Sequence, residues 1–196
     1  MSWLSNKMQK LVTAFVLTTV VGTGGVVIHE SSVVSQEDIM NQFLNEKEGN
    51  RTTAYLDSAG IWTICRGLTK INGKPVYKGM KMTEAQCDPL NRAEARKSLE
   101  WTKKNTKGLN PVQQVAVASF CHYNLGPTKC MRNKNGTPTQ FWAAISSGNV
   151  VKACDHIPDW TRDGGKDCKV RSNGCYGQVE RRQQERELCL TWMDGQ

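Results

Sequence analysis

The chain has 196 residues, of which 38% are hydrophobic and 22% are charged, and its formal net charge is +8. This length allows one domain with an appendage and a core of ordinary size. The basic charge suits nucleic acid, anionic lipid or an acidic cell-wall polymer. Because the sequence has no long Lys/Arg block and no interleaved row of aromatic residues, we expect no nucleic-acid partner.

Residues 11–28 form an uncharged stretch near the N-terminus, preceded by Lys7 and Lys10 and followed by Glu30. Positive charge before the stretch and acidic charge after it predict a cytoplasmic N-terminus and an exported body. The stretch reaches the lower length limit for crossing a bilayer. Three interpretations stay open: a permanent anchor, a releasable anchor made only marginally lipophilic by its Gly and Thr residues, and a cleaved signal peptide without an Ala-x-Ala-like site.

Beyond a polar linker, the body begins with a predicted helix. Ser35 and Asp38 have capping-box spacing, apolar residues follow at helical intervals, and Gly49 ends the helix. Thr53–Leu56 and Ile61–Ile64 are short β-type runs on either side of a turn. These features predict a helix followed by a β-hairpin.

The chain from Thr83 onward is predicted to be helical. Thr83 can cap one helix, and Asn110-Pro111 can open a buried central helix that reaches Tyr123. Further helices are predicted from Thr137-Pro138 to Gly148, over Val151–His156 and over Val179–Trp192. The predicted fold class is α+β, mostly α, with a small hairpin-bearing lobe, a helical lobe and a cleft between them.

Eight cysteines indicate an oxidising compartment. Their count is even and no pair has the close spacing of zinc ligands, so disulfides are favoured over a metal site. Two pairs enclose short loops, as local bridges would: Cys121 with Cys130, and Cys168 with Cys175. The pairing of the whole set stays open; the candidates are Cys65, Cys87, Cys121, Cys130, Cys154, Cys168, Cys175 and Cys189.

Glu48, Asp57 and Thr63 form the candidate catalytic group. Cleavage of a glycosidic bond needs one carboxylic acid to protonate the leaving oxygen and a second group to hold the attacking species. Glu48 ends a predicted helix, where the helix dipole disfavours its anion and suits the acid role. Asp57 in the turn is better solvated, and Thr63 offers a hydroxyl that could orient a water. By spacing alone, Asp57 could equally be a turn residue and Glu48 a solvated charge.

The motifs around these residues resemble the phage-type lysozymes, glycoside hydrolase family 24. That family carries a Glu, an Asp and a Thr at the spacing of Glu48, Asp57 and Thr63. The resemblance continues to the C-terminal part of the chain, over roughly residues 36–192. The matching segments are Glu48-Gly49, Ala54-Tyr55-x-Asp57, Gly60-x-Trp62-Thr63-Ile64-x-x-Gly67-x-Thr69, Ser119-Phe120-x-x-Tyr123-Asn124-x-Gly126, Trp160-Thr161-x-x-Gly164-Gly165 and Gly177-x-x-x-Arg181-Arg182-x-x-Glu185.

The resemblance implies a lysozyme-like fold and a muramidase that cleaves the β-1,4 bond between N-acetylmuramic acid and N-acetylglucosamine in peptidoglycan. Glu48 would be the general acid, and Asp57 and Thr63 would position water or stabilise the transition state of an inverting reaction. Tyr55 and Asn124 are substrate-binding candidates, although Asn124 could equally cap a helix. The resemblance implies no metal ion and no organic cofactor. Leu68 departs from the family, which commonly has His there.

The N-terminal stretch, read beside these motifs, resembles that of the signal-anchor-release endolysins. We therefore expect residues 1–30 to be a releasable membrane-inserting helix and residues 31–196 the catalytic domain. The expected partners are peptidoglycan glycan strands, the host Sec export machinery and, through residues 11–28, the inner membrane. The expected location is the host periplasm, at first tethered. No cysteine precedes Cys65, so we hypothesise activation by refolding of the extracted segment onto the body near Glu48.

Three other functions compete with the muramidase: a tethered wall-binding protein without turnover, a cationic membrane-disrupting protein, and a lytic transglycosylase. A binding module has no use for an acid at Glu48, and a transglycosylase would not need Asp57 and Thr63. Membrane disruption would weaken with salt. On the last predicted helix, Arg181, Arg182 and Glu185 are interpreted as a solvated or inter-lobe ion-pair face.

Overall fold

The computed structural model describes residues 2–21, 34–57 and 60–191, apart from the side chains of residues 15–21 and 48. Helices follow one another along the chain, interrupted by three two-stranded hairpins. In chain order the elements are α1 (Asn6–Val21), α2 (Gln36–Glu48), β1 (Arg51–Leu56), β2 (Trp62–Cys65), β3 (Lys70–Ile71), β4 (Lys74–Pro75), α3 (Glu84–Asn105), α4 (Pro111–Val117), a π-helix (Ala118–Leu125), α5 (Pro127–Met131), α6 (Gln140–Ser146), α7 (Val150–Asp155), a 3-10 turn (Ile157–Asp159), β5 (Arg162–Asp163), β6 (Lys166–Asp167), a second 3-10 turn (Arg171–Asn173) and α8 (Gly177–Leu190).

The small lobe is built on the hairpin of β1 and β2. The two strands pair antiparallel, with Tyr55 opposite Thr63. A small apolar core lies beneath them and includes the buried Ile64 and Val76. The disulfide between Cys65 and Cys87 ties the end of β2 to the first turn of α3. This covalent link fixes the hairpin to the long helix that leads into the helical lobe.

The helical lobe is organised around the central helix that Asn110 caps. The Asn110 side chain accepts a hydrogen bond from the backbone N–H of Gln113, while the Gln113 side chain accepts one from the backbone N–H of Asn110. α4 continues directly into the π-helix, and the pair is buried along most of its length. A π-helical turn is rare and often occurs at a functional site. Here it sets the direction in which the last residues of the central helix leave the core.

α1 packs against the body. Leu4, Met8 and Val12 belong to the main apolar core together with residues of α2 and the central helix. Glu187 on α8 accepts hydrogen bonds from the Ser2 hydroxyl and from the Trp3 and Leu4 backbone N–H groups. The beginning of the chain is therefore held by both apolar burial and a carboxylate.

A second set of contacts joins α1 to α2. The Ser5 hydroxyl donates a hydrogen bond to Glu46 over 2.7 Å, and Gln42 donates to the same carboxylate over 2.6 Å. Ser5 also caps α1 by accepting from the backbone N–H of Met8. The first turn of α1 thus lies beside the last turn of α2.

Several predictions from the sequence are confirmed. The Ser35–Asp38 capping box opens α2, Thr83 caps α3, and the hairpin occupies the predicted position. The fold is α+β and mostly helical, as predicted. The helix expected from Thr137-Pro138 begins later, because Thr139 is the residue whose side chain accepts the capping hydrogen bond.

Other predictions concern residues beyond those described. Across the parts of the chain that the structure describes, no helix is both long and apolar enough to cross a membrane. The expected membrane segment 11–28 extends past α1, and residues 22–28 lie outside the described residues. The expected boundary between residues 30 and 31 also lies outside them.

The eight cysteines form four disulfides, so the prediction of disulfides over zinc ligands is confirmed. Both local bridges, Cys121–Cys130 and Cys168–Cys175, are present. The remaining two bridges, Cys65–Cys87 and Cys154–Cys189, join distant elements.

Candidate active site

Glu48 is the last residue of α2, and the chain turns sharply after it. Gly49 has φ = +62°, a conformation that residues with a Cβ rarely adopt, so a glycine is needed to end the helix and begin β1. The helix therefore delivers Glu48 at its C-terminal end, directly before the hairpin. The position agrees with the prediction, while the Glu48 side chain lies outside the described part of the structure.

Asp57 and Thr63 are oriented by the backbone of Ile61. The Ile61 N–H donates a hydrogen bond to Oδ1 of Asp57 over 2.9 Å. The Ile61 carbonyl accepts one from the backbone N–H of Asp57 and another from the Thr63 hydroxyl, each over 3.0 Å. One residue in the hairpin loop thus sets the positions of both predicted groups.

The hairpin and the end of the central helix enclose a cleft of about 570 Å³. Asp57 and Thr63 line it, and both substrate-binding candidates, Tyr55 and Asn124, line the same cleft. The residues that the sequence predicted from separate motifs therefore converge on one space. The other residues lining it are Arg66, Gly67, Leu68, Thr69, Lys70, Glu94, Ser98, His122, Tyr123, Asp163, Gln178 and Arg181.

Direct hydrogen bonds hold the two walls of the cleft together. The Tyr123 hydroxyl on the π-helix donates to the backbone carbonyl of Arg66, which follows β2, over 2.5 Å. Arg66 is buried; its N–H donates to Asn91 on α3, and its guanidinium donates to Asn41 on α2. A single residue after the hairpin therefore joins three helices to the small lobe.

A buried ion pair on α8 supports Asn124. Arg182 and Glu185 are both 0% exposed, and their Nε and Oε2 atoms lie 3.1 Å apart. The Arg182 guanidinium donates to the Asn124 side chain over 2.9 Å, and the Ser119 hydroxyl donates to Glu185 over 2.7 Å. The sequence offered a solvated face or an inter-lobe ion-pair face; Arg182 and Glu185 do form an ion pair, but they are not solvated, because α8 turns them inward against the central helix. Arg181, the neighbouring residue, lines the cleft instead.

Sequence reasoning missed His122 as a residue of the site, since an isolated histidine carries no motif. The structure places it in the cleft wall with Nδ1 at 2.9 Å from Oγ of Ser98. Burial lowers its pKa, Glu94 opposes that change and Lys97 adds to it. The only sequence signal was its position two residues before Asn124 in the central-helix motif.

Comparisons with known proteins show what this chain is similar to. The model of the family described as "Phage lysozyme" matches residues 45–185. The chain is 50% identical over 161 residues to the SAR-endolysin of Escherichia phage 933W, an alignment covering 82% of this chain and 88% of that protein.

Solved structures are similar as well. The endolysin from Escherichia coli O157:H7 phage FAHEc1 has 29% identity and a TM-score of 0.61, covering 86% of this chain and 97% of that one. The active form of the P1 phage endolysin Lyz has a TM-score of 0.63 at 22% identity, over 94% of this chain and 93% of that one, and supports the fold alone.

Proposed function

This chain belongs to the phage lysozyme family, and we infer that it is an endolysin that lyses the bacterial host when phage are released. Its reaction is the hydrolysis of the β-1,4 bond between N-acetylmuramic acid and N-acetylglucosamine in peptidoglycan. The observation that carries this function is the convergence on one cleft of residues predicted in two distant parts of the chain: Tyr55, Asp57 and Thr63 on the hairpin, and Asn124 at the end of the central helix.

We propose Glu48 as the general acid. It ends α2 directly before the hairpin that borders the cleft. The C-terminal end of a helix carries partial negative charge, which favours a protonated carboxyl group there. A protonated carboxyl group can donate its proton to the leaving glycosidic oxygen as the bond breaks.

Asp57 and Thr63 are proposed to hold the attacking water. The Thr63 hydroxyl hydrogen is donated to the Ile61 carbonyl, so the Thr63 oxygen is left to accept a hydrogen bond from water. Asp57 accepts from the Ile61 N–H through Oδ1, which fixes the direction of its carboxylate. A water held by two acceptors on the face opposite the acid corresponds to an inverting reaction.

Glu48→Gln tests the acid role. We expect it to abolish hydrolysis of purified glycan strands, measured by the release of new reducing ends under non-reducing conditions. Glu100→Gln is the matched control, since Glu100 is an exposed carboxylate on α3 away from the cleft, and it should retain full activity. Analysis of the first-formed anomer by NMR tests inversion.

Each other outcome points to a competing function. Equal lysis by wild type and Glu48→Gln, weakened by salt, would indicate membrane disruption. Binding of glycan without turnover by either protein would indicate a wall-binding module. Products that end in an anhydro sugar would indicate a lytic transglycosylase, which adds no water across the bond.

We also propose that the chain is exported by the host Sec machinery, tethered to the inner membrane through residues 11–28, and then released into the periplasm. The uncharged stretch and the SAR-endolysin names of similar proteins support this location. The packing of Leu4, Met8 and Val12 in the core supports refolding of the extracted segment onto the body.

Cell fractionation before and after membrane depolarisation tests the release, because the full-length protein should move from the membrane to the soluble fraction. Deletion of residues 2–28 tests the refolding, and we expect a soluble protein with reduced activity. A soluble deletion variant with full activity would exclude the refolding step.

A further inference from the structure

His122 is a polar cleft residue to which the proposed reaction gives no role. It lies on the π-helix, half-buried, and its ring packs against Trp101 with the ring centroids 5.6 Å apart. Its Nδ1 contacts Oγ of Ser98 on α3. The ring is therefore held in place by an aromatic contact and one hydrogen bond.

The contacts of Ser98 bear on which ring nitrogen carries the proton. Oγ of Ser98 lies 3.1 Å from the backbone carbonyl of Glu94, to which a helical serine can donate its one hydroxyl hydrogen. In that arrangement the Ser98 oxygen accepts from His122 and Nδ1 carries the proton, and we adopt this tautomer for the proposal. In a neutral imidazole the other nitrogen, Nε2, is consequently a hydrogen-bond acceptor.

Nε2 is left for a molecule in the cleft. Among the described residues, Ser98 supplies the one side-chain hydrogen bond to the ring, and Nε2 is not among the buried atoms that lack a partner. Nε2 therefore has exposed surface, on a residue that lines the cleft. Glycan strands offer donors to such an atom through their hydroxyl groups and N-acetyl amide N–H groups.

We propose that His122 is a substrate-binding residue whose Nε2 accepts a hydrogen bond from an O–H or N–H group of the glycan strand. Ser98 is the positioning residue, because it selects the tautomer that leaves Nε2 unprotonated. The identity of the ligand rests on the proposed function. The arrangement provides specificity for a donor at this position of the cleft.

Protonation of the ring reverses the polarity of Nε2. The neutral form is the acceptor, and the charged form carries a proton on both nitrogens. Burial lowers the pKa of His122, so neutral pH keeps the acceptor form, and glycan affinity should fall as the pH drops through that lowered pKa. Glu94 and Lys97 on α3 act on the ring, and the charged groups lining the rest of the cleft are Asp57, Arg66, Lys70, Asp163 and Arg181.

The experiment measures the Kd of a purified glycan tetrasaccharide by calorimetry, in a Glu48→Gln background so that no cleavage is needed. His122→Met removes the acceptor at similar volume, and we expect Kd to rise roughly three- to tenfold at neutral pH. His122→Gln supplies a carbonyl acceptor that does not titrate. This variant should bind the glycan with a Kd near the parent value, and its affinity should not fall at acidic pH.

Two further variants complete the comparison. Ser98→Ala removes the hydrogen-bond partner of Nδ1, so either ring nitrogen of His122 can carry the proton. Because the ring itself remains, a smaller rise in Kd is expected than for His122→Met. His156→Gln is the control, because that imidazole contacts Asp159 outside the cleft, and it should match the parent at every pH.

An unchanged Kd for His122→Met, with its thermal unfolding unaltered, would overturn the proposal. A loss of glycan affinity at acidic pH that persists in His122→Gln would also overturn it, since another group would then cause that loss. Absence of hydrolysis by the protein with Glu48 intact would contradict the muramidase assignment. The Kd values of the variants could still be compared, so failure of the proposed function is distinguishable from failure of the His122 proposal.

Discussion

Asp57 and Thr63, six positions apart in the chain, are both held by hydrogen bonds to the backbone of Ile61. The Ile61 N–H orients the carboxylate of Asp57, and the Ile61 carbonyl takes the hydroxyl hydrogen of Thr63. The hairpin loop therefore places two acceptors of defined direction at the cleft before any substrate arrives. Such preorganisation reduces the free energy needed to position a water for attack.

Thr63→Val should lower kcat on the order of 100-fold with little change in KM, because it removes the proposed acceptor for the water and keeps the shape of the side chain. Thr63→Ser keeps the hydroxyl and should retain most of the activity. The measurement is steady-state hydrolysis of purified glycan strands. Equal activity of the valine and serine variants would contradict the role of the hydroxyl.

Glu185→Ala should destabilise the protein by about 3–5 kcal/mol, since it removes one partner of the buried ion pair with Arg182. The matched control is Asp155→Ala, which breaks the exposed ion pair with Arg186 and should cost less than about 1 kcal/mol. Urea unfolding monitored by tryptophan fluorescence measures both. Similar losses in the two variants would show that burial of the inner pair has no energetic consequence.

Met8→Ala should lower the free energy of unfolding of the protein by about 2–5 kcal/mol, because Met8 is fully buried in the main core. Lys7→Ala, one residue earlier and exposed, should change it little. Chemical denaturation of both variants under non-reducing conditions provides the comparison. If Met8→Ala behaved like Lys7→Ala, α1 would not be packed against the body in solution.

Asp38→Asn should reduce stability at neutral pH by roughly 0.5–2 kcal/mol. Hydrogen bonds from Ser35 chiefly lower the pKa of Asp38, and Arg92 adds to the effect. A carboxyl group whose pKa is lower in the folded state contributes stability above its unfolded pKa and loses it as the pH falls through the folded pKa. The difference between wild type and Asp38→Asn should therefore shrink at strongly acidic pH.

Thermal unfolding across a pH series measures this prediction, with Glu100→Gln as the control for removing an exposed carboxylate. A difference between wild type and Asp38→Asn that stayed constant down to strongly acidic pH would mean that the carboxylate charge does not support the cap.

Local signals predicted much of the fold. The capping residues Ser35, Thr83 and Asn110 satisfy backbone N–H groups within a few residues of themselves, so short sequence patterns were sufficient to locate α2, α3 and α4. The predicted start of α6 at Thr137-Pro138 was wrong, because the threonine whose side chain accepts the capping hydrogen bond is Thr139. The π-helix was not predicted, since its wider turn depends on packing and leaves no distinct pattern.

The candidate site likewise contains residues that the sequence predicted and residues that only the structure brought to it. Glu48, Asp57 and Thr63 were predicted because they match the phage-type lysozyme motif within one short helix–hairpin segment, whereas their spacing alone left turn and surface roles open. His122 and its partner Ser98 come from different helices, and no sequence pattern links them. Arg182 looked like a surface charge because charged residues surround it in the sequence, yet the orientation of α8 buries it.

The sequence by itself predicted disulfides from its even set of cysteines, and it determined the order of the main helices and the residues that carry the family motif. Only the tertiary structure decided how the four cysteines outside the two local bridges pair, where α1 packs, and that Asn124 and Asp57 line one cleft. The physical reason is the range of the interactions. Caps and turns are satisfied by neighbours in the chain, whereas a cleft and a buried ion pair exist only when distant helices pack against one another.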